Sequence, residues 1–148
     1  MNTARTVAAV SLMLALGLPT AGAAIEPGAM PAVQNYDGVQ YVSGGIGVGE
    51  RNAMHAAARN YDLHLTFATR KRGAYLADVD VTVHDAKGRT ILQATSEGPW
   101  LYAKLPPGEY RVTAVMNGEK RVHSTRIGPG HLRQVIFRWN VPVGGVRG

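Results

Sequence analysis

Five histidines, His55, His64, His84, His123 and His131, are the residues best suited to chemistry in this 148-residue sequence. A neutral imidazole nitrogen is a good ligand for Cu²⁺ or Zn²⁺. His64 and His84 fall at outward positions of two alternating stretches, and Asp80 shares the outward face of the second. Placed on neighbouring strands, the three would form a small metal site, so they are the metal candidates. The spacings that mark dedicated sites, H-x-H, H-x-x-H and H-E-x-x-H, occur nowhere in the chain. The absence of cysteine removes thiolate metal sites, disulfides and a Cys nucleophile together. No cofactor is expected.

Acyl-transfer chemistry has little to draw on. Ser43, Ser96 and Ser124 lie on strands or beside turns, with no G-x-S-x-G elbow around any of them. Asp62, Asp78, Asp80 and Asp85 form no defined acid pair, and no enzyme is expected. The glycine run Gly44-Gly45-Ile46-Gly47-Val48-Gly49 precedes a helical stretch, where backbone N–H groups can cradle a phosphate. It lacks both the G-x-G-x-x-G spacing and the Lys-Ser/Thr of a phosphate loop. Gly44, Gly45, Gly47 and Gly49 therefore read as a sharp turn that lets a helix approach a sheet. Trp100 and Tyr102 are the binding candidates, because a surface Trp beside a Tyr can stack a sugar ring. Tyr110 reads as a core aromatic, and Trp139 is the fourth large aromatic of the sandwich.

The elements that must position these residues are short strands. Residues 39–43 read as a short strand, and 50–60 as the only helix, with Ala53, Met54, Ala57 and Ala58 on one side. After Asn60 the period becomes two. Tyr61, Leu63, Leu65 and Phe67 face one way, and Asp62, His64 and Thr66 the other. Val79, Val81 and Val83 alternate with Asp80, Thr82 and His84, and Asp85-Ala86-Lys87-Gly88 turns into a return strand at 90–95. Further strands are expected at 100–105, 109–116, 120–127 and 132–139. Pro107-Gly108 and Asn117-Gly118 turn between them, the latter being the strongest hairpin signal in the chain. The sum is an all-β chain: about seven antiparallel strands in a sandwich, preceded by one short helix. Alternation predicts one wet face for each sheet.

The N-terminus reads as a leader. Arg5 is its only charge, residues 7–18 are apolar, and small residues precede a cut after Ala23. The apolar run of about 12 residues is short of the roughly 20 that span a bilayer. The expected organisation is a signal peptide at 1–23, a flexible lead-in at 24–38, the glycine turn and helix at 39–60, the sandwich at 61–141 and a disordered tail at 142–148. The mature chain of about 125 residues suits one domain. With no cysteine at the cut there is no lipid anchor, and after cleavage no membrane span remains. The net charge is +6, or +5 once Arg5 is removed. Apart from Arg70-Lys71-Arg72 and Lys120-Arg121 the cations are scattered, and export argues against nucleic acid as a partner.

The segment 76–137 resembles the carboxypeptidase regulatory-like domain, a transthyretin-like (prealbumin-type) β-sandwich. The resemblance rests on Asp78-Val79-Asp80-Val81-Thr82-Val83 with its following hairpin. It rests also on the corner Leu105-Pro106-Pro107-Gly108-Glu109-Tyr110-Arg111-Val112 and on the last strand, 135–139. It covers about half of the mature chain and implies fold rather than ligand. Behind a signal peptide the chain resembles small uncharacterised exported proteins of Gram-negative bacteria. The expectation is a non-catalytic periplasmic module that binds another envelope protein or a polymer. The alternatives are a structural accessory without ligand and a periplasmic metal-binding protein. The sequence sets no oligomeric state.

Overall fold

The computed structural model describes residues 29–141. The expected leader at 1–23, residues 24–28 and the tail at 142–148 lie outside the described residues. Two strands come first, β1 (Gln34–Tyr36) and β2 (Val39–Gly44), followed by the helix α1 (Val48–Ala57) and a 3-10 turn, Ala58–Asn60. Seven strands follow: β3 (Leu63–Thr69), β4 (Asp80–Asp85), β5 (Thr90–Thr95), β6 (Trp100–Ala103), β7 (Gly108–Met116), β8 (Glu119–Ile127) and β9 (Arg133–Trp139). The order in one sheet is β1-β2-β6-β3-β9, and in the other β5-β4-β7-β8.

The sheets pack face to face because the period-two residues are apolar on one side of each strand. Leu63, Leu65, Phe67, Leu101, Val135 and Trp139 come from the first sheet. Val79, Val81, Val83, Leu92, Val112 and Ile127 come from the second and its flanks, and all belong to one buried cluster. The turn residues act as their chemistry dictates. Asn117 and Gly118 both have positive φ, 48° and 77°, the pair of angles that a two-residue hairpin of this hand requires. At the Pro107-Gly108 corner the Tyr110 hydroxyl donates to the Pro106 carbonyl at 2.5 Å, fixing the corner to the strand that follows it.

Several expectations change. The seven strands after the helix are present, but β2 joins the first sheet and β1 pairs with it, making nine among the described residues. β1 lies inside the stretch expected to be a flexible lead-in. The sandwich is not wholly antiparallel: β9 runs parallel to β3, from Leu63↔Arg133 to Thr69↔Trp139. The helix starts at Val48, so Gly49 lies within it instead of in the turn. Tyr61 leaves the core set as well. The chain bends at Asp62, and Tyr61 packs with Met54, Val42 and Tyr102 in a second cluster outside the first sheet. No helix among the described residues is long and apolar enough to cross a membrane.

The loop between β5 and β6 ties the two sheets together. Ser96 Oγ accepts the Val79 N–H at 3.0 Å, and Ser43 Oγ accepts the Glu97 N–H at 2.7 Å, which accounts for two of the three serine candidates named above. A side chain at Gly98 would collide with the Gly44 backbone, whereas the space around Gly118 is open. Gly98→Ala is therefore expected to lower unfolding stability by about 3 kcal/mol through overpacking. Gly118→Ala, which adds only the strain of a positive φ, is expected to cost about 1 kcal/mol. Urea unfolding of the two variants checks the ranking, which fails if Gly118→Ala costs as much as Gly98→Ala.

Candidate functional site

The strand register of the first sheet writes two rows across its outer face. Val42, Tyr102, His64 and Gln134 stand in one row, and Gly44, Trp100, Thr66 and Ile136 in the next. The helix α1 covers the first row. Met54 is fully buried against Val42 and Tyr102, with Ala57 and Ala58 beside it. This face was expected to be wet. Instead His64 is 5% exposed and Tyr102 is 3% exposed. Their rings stack with centroids 3.4 Å apart and planes 5° apart. Trp100 lies 6.0 Å from Tyr102 at 17°, extending the same aromatic wall into the uncovered second row.

Beyond the end of the helix the wall opens into a slot of about 220 Å³. Trp100, Tyr102 and His64 form one side, Gln134 and Leu132 line the β9 end, and His55 and Ala58 close it from the helix. Tyr75, held by an isolated bridge to Ala68, meets Trp100 edge-on at 76°. Tyr75 is 52% exposed, and Leu132 and the neighbouring Ile136 are also exposed. A cluster of exposed apolar side chains around a concave opening marks a contact surface more often than chance placement does.

The glycine head positions this wall. Glu50 reaches back from the first turn of α1, and its Oε1 accepts N–H bonds from Gly45 at 2.6 Å and Ile46 at 3.3 Å. Two of the N–H groups of the glycine run are thereby occupied. Gly45, at φ +95°, lies so close to Trp100 that an added Cβ would stand 3.3 Å from the indole. Arg51 donates to the Gly45 carbonyl at 3.1 Å and places its guanidinium 5.5 Å from the centre of the Tyr75 ring. One turn of chain thus fixes both Trp100 and Tyr75. Gly44 has its own constraint, since a side chain there would run into Glu50 and Pro31.

Burial governs the electrostatics. It lowers the His64 pKa from 6.5 to about 4, reinforced by the nearby His55 and partly opposed by the Ala58 carbonyl. His64 Nε2 is buried with no hydrogen-bond partner. Burial also pushes the Tyr102 hydroxyl up to about 12, so at neutral pH the wall is uncharged.

The metal candidates do not converge. His64 lies under α1 on the outer face of the first sheet. His84 and Asp80 lie on the outer face of the second, across the core, where Asp80 accepts a hydrogen bond from Thr95 at 2.7 Å. No group of three metal-binding side chains occurs among the described residues. Of the binding candidates, Trp100 lines the slot. Tyr102 does so from a buried position, contrary to its expected surface role. Thr66, Tyr75 and Gln134 were missed. Tyr75 follows a basic turn without periodicity, and Gln134 reaches the site only through the parallel pairing. A larger hollow of about 520 Å³ is lined by Arg111, Arg126, Asp85, Glu109 and Arg133, the last of which lies between the slot residues Leu132 and Gln134. Its two acids are paired, Glu109 with Arg126 and Asp85 with Arg89, and Arg133 donates to the Thr125 hydroxyl. Compared with family models and with curated proteins, the chain matches none.

Two measurements test this construction. His64 takes up a proton in the unfolded chain near pH 6.5 and in the folded chain only near pH 4. Stability is therefore expected to fall as pH drops through that window and to level off below it, by up to about 3 kcal/mol. His64→Phe keeps the stack on Tyr102 and removes the titration. Urea unfolding at pH 7 and pH 4 is expected to give a smaller loss for this variant, and equal losses would refute the assignment. Glu50→Ala leaves the Gly45 and Ile46 N–H groups without their acceptor, at a cost of about 2 kcal/mol. Tryptophan emission is expected to shift to the red as Trp100 loosens. An unchanged spectrum with unchanged stability would show that Glu50 does not hold the wall.

Proposed function

We propose that this chain is a non-catalytic exported β-sandwich module of the carboxypeptidase regulatory-like, transthyretin-like kind, which binds an envelope protein or polymer in the bacterial periplasm. The observation that carries the binding reading is the slot beside Trp100. Its aromatic wall is held rigid by buried neighbours and by the glycine head, while Tyr75 and Leu132 at its mouth stay exposed. A side chain kept at the surface at the expense of its own burial suits contact with something outside the chain. Export is supported by the leader pattern at 1–23, and the family reading by the Pro107-Gly108 corner with its Tyr110 bond. The lack of catalysis is supported by the roles of the polar candidates: Ser43 and Ser96 are engaged as hydrogen-bond acceptors, and His64 is buried.

Retention from a periplasmic extract tests the reading. Immobilised protein is expected to hold a protein or polymer fraction that Trp100→Ala and Tyr75→Ala lose. Lys120→Ala, on the second sheet, is expected to keep it. Equal retention by all four forms would overturn the slot as the binding surface, and none by the native form would favour a structural accessory without ligand.

A further inference from the structure

We propose that the slot beside Trp100 takes a single sugar ring at the end of a glycan chain. The inference rests on the reading of this slot as the binding site and adds the class of ligand. Size comes first. Drug-sized pockets run from about 300 to 1,000 Å³, and at about 220 Å³ the slot holds one ring. His55 and Ala58 at the helix end close the slot on one side, so a chain enters by its end and does not run on past α1.

The shape of the aromatic surface selects among rings. The Trp100 and Tyr102 rings run near-parallel, 17° apart with centroids 6.0 Å apart, and because Tyr102 is buried against His64 the Trp100 indole is the face the slot offers for stacking. Tyr75 stands at 76° to Trp100, so the two make a corner and not a pair of parallel faces. A planar aromatic ligand gains most between parallel faces. A pyranose has one face of C–H groups, which carry partial positive charge and suit the negative face of an indole. Its hydroxyls lie around the rim and need partners in their own plane. Thr66, Gln134 and His55 line the slot around the wall and supply such partners: a hydroxyl, an amide and an imidazole. Amides and hydroxyls both donate and accept, as sugar hydroxyls do. No acidic side chain lines the slot, so acidic sugars are admitted with neutral ones.

The test is a ¹H–¹⁵N NMR titration of the folded protein. The probes are three disaccharides, ending in glucose, N-acetylglucosamine and galacturonate, with indole and benzoate as planar controls. At least one disaccharide is expected to shift the Trp100 indole N–H and the Gln134 side-chain amide at millimolar concentration, while the planar controls do not. Trp100→Ala is expected to weaken that disaccharide by about tenfold or more. Gln134→Leu, a surface change that spares the wall, is expected to weaken it as well and guards against misfolding of the first variant. Shifts with indole or benzoate alone would overturn the sugar assignment and leave the slot a binding site. No shift with any probe, while periplasmic retention still depends on Trp100, would overturn it in favour of a protein contact. No shift together with no retention would remove both readings.

Discussion

The Glu50 carboxylate holds the outer layer of this protein in place. A ten-residue helix is marginal alone, since most helical stability in proteins comes from packing. α1 packs only a narrow apolar stripe, with Met54 as its single fully buried side chain. Glu50 compensates by clamping the first turn of the helix to the end of β2 through Gly45 and Ile46. The clamp has a steric condition: Gly44 must lack a side chain for the carboxylate to fit, and Gly98 must lack one for the next loop to pass. Four features thus meet at one point, and each is needed for the others. Once the helix is seated, Tyr102 and His64 are buried. Once they are buried, Trp100 and Tyr75 stand as a fixed corner beside them.

Much of the sandwich was legible in the sequence because alternation and turn chemistry are local. The seven strands after the helix, the Asn117-Gly118 hairpin and the inward set Tyr110, Val112 and Ala114 all follow from patterns a few residues long. What escaped is non-local. A polar residue at an outward position of a strand reads as wet, and His64 and Thr66 carry no sign that a helix from earlier in the chain lies over their sheet. Parallel pairing of β3 with β9 leaves no mark on either strand, so Gln134 could not be placed beside His64. Glu50 was legible only as an acid near a helix start, where the dipole favours it. Its reach back to Gly45 depends on the exact path of the turn. Half of the candidate site was therefore visible in Trp100 and Tyr102, and the half contributed by Thr66, Tyr75 and Gln134 was not.

The two sheets solve the problem of their outer faces differently. The second sheet leaves its face to solvent, with Asp80, Thr82 and Arg111 outward, as alternation predicts. The first sheet places aromatics and an imidazole outward and then covers part of them. Stacking two rings face to face and burying an imidazole nitrogen without a partner is a costly way to fill a layer, where Leu and Val would serve. Such an exception is more often tied to a role than to stability. The cost falls on the row next to the open slot.

The parallel partnership of β3 and β9 also sets an order in time. β3 is made early in the chain, and one of its sides stays open until the last strand, β9, is complete. Contacts between segments so far apart must overcome loop-closure entropy before they return any stability. Trp139, the largest fully buried side chain, sits at the end of that last strand. A nascent chain lacking its final residues would therefore hold most of its hairpins and still have an unsealed core. Sealing of the core thus depends on β9, a segment far along the chain from the strand it pairs with.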